Sequence, residues 1–240
     1  GRVGALDHRS AVTAGAAEGM AAYLALADEV IPFFEQSFGP YPFDRYGLLI
    51  TDSASGLALE TQTLPIFSES DLPPLGAGEE PDPVAELLIS HELAHMWFGD
   101  SVTPVAWADL WLNEGFATYG QWMWLEQAEL LTLADEAELA RQQMPELRAE
   151  FGPTDDPRAE TLFSPTVYEG GAVVLHALRG ELGDETFFGL LQDWAADNAG
   201  GSVSTDDFVE AASDAAGRDM SEFFATWLGE GDLPEYPQAG

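Results

Sequence analysis

Cysteine is absent from the 240 residues. Disulfides and thiolate chemistry are therefore excluded, and any metal must be held by histidine and carboxylate. Lysine is absent too. All eight basic residues are arginine, against 43 acidic ones, for a formal net charge of −35. Such a surface repels nucleic acid and anionic membranes, so neither is expected as a partner. No apolar run approaches the length of a membrane-spanning helix; the stretch from Ala21 to Phe34 is interrupted by Asp28, Glu29 and Pro32. No basic-then-apolar signal segment follows Gly1, and the chain reads as a mature form or an excised piece of something longer. Self-repulsion among so many carboxylates is screened by salt. The acidity fits an extracytoplasmic enzyme, the cytoplasm of a salt-adapted cell, or plain codon bias.

Histidine is scarce, with only His8, His91, His95 and His176. What the chain does have is apolar content, 46%, enough for a real core. Helical spacing and the stop at Gly39-Pro40 predict a long helix over 14–38. Short strands are expected at 46–51 and 63–67, the second at an edge because of Pro65. Asp82 followed by Pro83 predicts a capped helix that runs through "VAELLISHELAHMWF" and ends near Gly99. Another helix starts around Leu112, and further ones are expected at 134–150, 168–182, 185–198, 205–216 and 220–229. The expected fold class is mainly α, an α+β chain that is helical with a small N-terminal strand region. We find no repeat and no internal linker, so 1–240 is read as a single domain. Its parts are an entry helix with short strands and a loop (1–67), a central helix pair (82–127) and a helical C-terminal part (128–240).

Within "HELAHMWFGD", two histidines lie four apart. On a helix they stand about 40° apart around the axis and one turn along it, so both imidazoles project from one face. That pair can grip one metal ion. Glu92 lies beside them rather than in line, where it can reach the water such a metal would hold without being a ligand. A hydrolytic zinc site needs a third protein ligand, and "WLNEGFATY" supplies Glu114, with eighteen residues between it and His95. Asp109 and Asn113 are candidates for holding a ligand imidazole from behind; helix capping or a surface hydrogen bond is the alternative for both. His8 and His176 read as structural.

"HELAHMWFGDSVTP" followed by "WADLWLNEGFATY" resembles the M1 family of zinc aminopeptidases, within the gluzincin group. Thermolysin-like endopeptidases share the ligand logic but neither this spacing nor the second motif. "FGPYPFDRYGLLIT" is similar to the segment entering that family's catalytic domain, and "DDFVEAASDAAGRDMSEFFATWL" to its closing helices. The resemblance implies a thermolysin-like zincin catalytic domain holding one zinc ion. It also assigns roles. "GLALETQT" is similar to the exopeptidase motif Gly-x-Met-Glu-Asn, although Leu59 stands for Met and Thr61 for Asn. Glu60 would then bind the free α-amine of a peptide, with backbone from Gly56 to Ala58 helping. "VYEGG" places Tyr168 where the family has a tyrosine that stabilises the tetrahedral intermediate, with Gly170 where lysine is common. Family members usually carry an N-terminal β domain before this region. It is absent from these residues, and such a domain would be expected to pack against this one.

The expectation is a zinc aminopeptidase. His91, His95 and Glu114 would be ligands, Glu92 the general base, Tyr168 the oxyanion donor, and a peptide with a free N-terminus the substrate. A zinc endopeptidase or other hydrolase on the same site is the nearer alternative. A non-catalytic interaction domain that kept the fold is the farther one.

Overall fold

The computed structural model describes residues 2–3, 6–12, 19–52, 58–76 and 78–237. The chain opens with β1 (Arg2–Val3), β2 (Leu6–His8) and β3 (Ala11–Val12), followed by α1 (Ala21–Phe38). Of the helix predicted over 14–38, residues 14–18 lie outside the described set, and helical geometry begins at Ala21. Next come β4 (Arg45–Tyr46), β5 (Leu49–Thr51) and β6 (Ile66–Ser68). The single strand expected at 46–51 is two. Between them the Ser10 hydroxyl accepts from the Leu48 N–H at 2.9 Å in place of a ladder bond. On either side the chain pairs with different partners: β4 lies parallel to β2, and β5 parallel to β3 and β6. The strand expected at 63–67 begins later. Thr63 sits at a φ of 64° in a turn closed by Leu64 N–H to Thr61 O, and the chain is extended only after Pro65.

The helix α2 (Pro83–Ala94) starts as its sequence predicts. Asp82 Oδ1 accepts from the N–H groups of Val84 and Ala85 at 3.1 and 2.9 Å. It ends earlier than Gly99, with His95 as its C-cap. His95 keeps αR backbone angles (φ −59°, ψ −21°), so it stays on the face that carries His91. After β7 (Val102–Pro104) comes a 3₁₀ turn at Trp107–Asp109 and then α3 (Trp111–Gln127). Fourteen of the seventeen α3 residues are buried, which makes it the central helix of the molecule rather than an amphipathic surface one. The remaining elements are α4 (Leu133–Phe151), α5 (Pro165–Leu182), α6 (Asp184–Asp197), β8 (Gly201–Val203), α7 (Thr205–Ala216) and α8 (Ser221–Leu228). β7 and β8 pair in parallel, so strand structure is not confined to the start of the chain.

One buried apolar cluster extends from Met20 to Leu233 and includes Trp97, Trp111, Phe34, Phe116 and Phe208. Each such side chain contributes about 1.5–3 kcal/mol on burial. Two arrangements in this core position the site. α2 and α3 are tied at both ends: Trp124 Nε1 donates to Glu86 Oε2 at 2.6 Å, and Asn113 meets His95 at 2.7 Å. α3 and α5 approach until Gly115 and Gly171 touch. A Cβ on Gly115 would stand 2.6 Å from the Gly171 Cα, a distance no side chain tolerates. Glycine at both positions therefore sets how near Tyr168, one turn before Gly171, comes to Glu114.

Candidate metal centre

Three ligand-type side chains converge where α2 ends and α3 begins. Glu114 Oε2 lies 3.5 Å from His91 Nε2 and 3.4 Å from His95 Nε2. The candidate ligand atoms of all three residues lie within 4.8 Å of one another. A tetrahedral ion with bonds of about 2.0–2.2 Å has ligand–ligand edges of about 3.3–3.6 Å, so two of the three edges already have the spacing zinc requires. The imidazole planes stand 83° apart, so the two nitrogens approach from different directions. Among the described residues this is the one cluster of three or more such groups.

The surroundings prepare His95 as a ligand. Its Nδ1 faces two acceptors, the Phe98 carbonyl at 3.1 Å and Asn113 Oδ1 at 2.7 Å. Nδ1 must therefore carry a hydrogen, so Nε2, turned toward Glu114, is the atom a metal would take in place of a proton. The two Glu114 oxygens divide their work: Oε2 faces both histidines while Oε1 accepts from Asn113 Nδ2 at 3.3 Å. His95 is 2% exposed and Glu114 4%, whereas His91 keeps 12% of its side chain open, so the site faces solvent on the His91 side.

Charge adds to the convergence. Burial alone would lower the His95 imidazole, but the carboxylates of Glu114, Glu92 and Glu60 hold it up at about 10. Burial would likewise raise Glu114, and the two imidazoles instead bring it down to about 2. His91 is lowered, first by burial and then by the charge of His95, against the pull of Glu114. Protons and a dication thus compete for the same atoms. Glu92 is buried, and its Oε2 has no hydrogen-bond partner. Burial pushes it up to about 8, helped by Glu60, Glu114 and Asp100 and opposed by His95.

The other expected residues fall as follows. Glu60 stands just after Leu59, which bridges Ile66 of β6, and its Oε1 lies 3.4 Å from Asn113 Nδ2. Ala58 is half-buried against the core, and Gly56 lies outside the described residues. The Tyr168 ring stacks on His91 with centroids 5.9 Å apart and planes 14° apart. Its hydroxyl is raised by burial and by Glu114, Glu60 and Glu92, so it stays protonated and acts as a donor. Asp109 does not reach an imidazole. Its Oδ1 accepts from the Thr205 N–H at 2.8 Å at the start of α7, because the 3₁₀ turn aims it away from α2. His8 stacks on Tyr46, and His176 lies against Tyr119 and Tyr236.

Three participants were not legible beforehand. The Phe98 carbonyl becomes available only because the helix stops at Ala94. Gln121 pulls the proton affinity of His91 upward; its place seven residues after Glu114, on the same helix face, was the available signal. Asp100 carries a buried, unpartnered Oδ2 and, with Glu60 and Asn113, lines a cavity of about 410 Å³. Val105, Trp107 and Leu110 are among its apolar lining residues, and Trp107 is 63% exposed.

Residues 23–227 match the description of the Peptidase family M1 domain. Aminopeptidase N of Streptomyces lividans is 30% identical over 210 residues, 82% of this chain and 24% of that protein. Probable aminopeptidase 1 of Sulfurisphaera tokodaii is 31% identical over 236 residues, 88% of this chain and 28% of its own length. Among solved structures, the M1 zinc metallopeptidase from Deinococcus radiodurans superimposes with a TM-score of 0.80 at 28% identity, covering 100% of this chain and 52% of that one. A mutant of the same enzyme, bound to a Tyr-ser-ala substrate, gives 0.76 at 29% identity, covering 98% and 51%. The chain thus spans about a quarter of these curated relatives and about half of these solved neighbours.

Proposed function

The chain belongs to peptidase family M1, and from that footing we propose that it is the catalytic part of a zinc aminopeptidase, removing the first residue from peptides with a free N-terminus. The observation that carries this reading is the position of Glu60. Its carboxylate sits one side chain away from the candidate metal ligands, joined to them through Asn113, and lines a cavity that admits a side chain.

His91, His95 and Glu114 would hold the ion. Bound there, zinc would supply a Lewis acid and acidify a water near neutral pH. Glu92, with its free Oε2, would take a proton from the attacking water and return it to the leaving amine. The Tyr168 hydroxyl, kept protonated, donates to the oxygen on which negative charge develops. Glu60 accepts from the α-ammonium and stops the chain from entering further, which makes the cut terminal. The first side chain enters the cavity lined by Val105, Trp107 and Leu110, beside Asp100. A lining that combines apolar side chains with the carboxylates of Glu60 and Asp100 suits both aromatic and arginine side chains. This agrees with solved neighbours described as bound to a Tyr-ser-ala substrate, L-arginine and L-tryptophan. A second domain packing against this one, as in the two-domain neighbours, belongs to the same proposal.

Hydrolysis of amino-acid arylamides, each beside its N-acetylated twin and with or without a chelator, tests the reading. Free-amine arylamides should be cleaved, and the chelator should abolish cleavage. Preference for the acetylated twins would make the enzyme an endopeptidase instead.

A further inference from the structure

We propose that Asn113 is a positioning residue that sets amine recognition and metal grip with one side chain. The inference rests on the aminopeptidase reading of Glu60. The Asn113 carboxamide is buried and fully engaged. Oδ1 accepts from His95 Nδ1 at 2.7 Å, while Nδ2 donates to Glu114 Oε1 at 3.3 Å and to Glu60 Oε1 at 3.4 Å. Its orientation is determined, because His95 Nδ1 also faces the Phe98 carbonyl and so must be a donor. Only a carboxamide can accept an N–H on one atom and donate to two carboxylates with the other. Aspartate would put a third carboxylate between Glu60 and Glu114.

The backbone beneath it is shaped for this amide. Gly99 has a φ of 128°, and a Cβ there would stand 2.1 Å from Asn113 Oδ1. Glu60 comes from the hairpin leading to β6 and His95 from the end of α2. Asn113 on α3 joins these two segments at the candidate site. The distance between amine anchor and metal ligands is therefore set by a residue that is itself neither the amine anchor nor a metal ligand.

The test is a double-mutant cycle on the zinc-loaded chain with Asn113→Asp, Glu60→Gln and the pair. The readout is the affinity for L-arginine amide relative to its N-acetyl twin, measured by calorimetry, with zinc content determined alongside. Asn113→Asp keeps an acceptor for His95, so zinc should stay near one per chain. It loses the donor to Glu60, so preference for the free amine should fall by about 10- to 100-fold, as for a lost hydrogen bond to a charged group. The pair should prefer the free amine no less than Glu60→Gln alone. Asn113→Ser, which removes the amide donors without adding charge, is measured in parallel so that a folding defect does not determine the result. Unchanged preference in both Asn113 variants overturns the inference, as does zinc loss with preference retained, or a fall that adds to that of Glu60→Gln. A wild-type chain without free-amine preference would instead overturn the aminopeptidase reading itself.

Discussion

Two histidines flank α3, and their surroundings could hardly differ more. His95 points Nδ1 at two acceptors and Nε2 at a carboxylate, and is held up at about 10. His176, on α5, has Nδ1 3.5 Å from the Tyr119 hydroxyl, and its ring stands edge-on to Tyr236 at 4.7 Å. Burial and the neighbouring Arg179 bring it down to about 4, against the pull of Glu126. The first region gathers acceptors and carboxylates around an imidazole, which favours positive charge there, whether a proton or a metal ion. The second surrounds a neutral ring with aromatic side chains and a guanidinium, which is what packing needs. Residue type alone is uninformative here; the charge of the neighbours separates a candidate ligand from a core histidine.

The largest effect expected is at Glu92. Glu92→Gln should lower kcat by about 10²- to 10⁴-fold, the usual worth of a positioned proton-transfer group, while zinc content stays unchanged. Steady-state kinetics beside metal analysis checks this, and normal turnover would mean that the base lies elsewhere. Tyr168→Phe keeps the ring against His91 but removes the donor. A fall in kcat of about 10²- to 10³-fold with an unchanged melting temperature is expected.

Gly99→Ala tests the support of the His95 side. The new Cβ would meet Asn113 Oδ1, and the backbone is in the left-handed region. Zinc affinity should weaken by about 10- to 100-fold, read by competition with a chelating dye. Retained affinity would show that the amide can move without consequence for the ligand.

The smallest effect sharpens the other half of the comparison. Between pH 6.5 and about 4 the unfolded chain protonates His176 while the folded chain resists it. Stability should therefore fall as pH drops through that window and level off below it, with His176 contributing no more than about 2 kcal/mol. Melting temperatures of wild type and His176→Gln across this range should converge toward acid, with peptide turnover at neutral pH unchanged. Parallel curves would mean that His176 titrates normally.

Much of the site was legible because its signals are local. The pair His91 and His95 shares a face by helical periodicity alone, and Glu92 stands beside that face. Asp82 with Pro83 marked the start of α2 from two adjacent residues. The errors arose where a distant segment intervenes. The strand expected at 46–51 is divided by a Ser10 hydroxyl from another part of the chain. Elsewhere the sequence left imidazole support and helix capping both open for Asp109 and Asn113, and distant contacts separate them: Asp109 meets Thr205 at the start of α7, Asn113 meets His95.

By itself, then, the sequence determined which side chains share a helix face, where α2 begins, and that only nitrogen and oxygen ligands are available. These follow from backbone periodicity and composition. Only the tertiary structure decided that Glu114 closes on both histidines, that Asn113 reaches Glu60, and that Tyr168 stacks on His91. Those distances depend on how near α2, α3 and α5 approach. That approach is set by contacts such as Gly115 against Gly171, between residues far apart in sequence, which no local periodicity encodes.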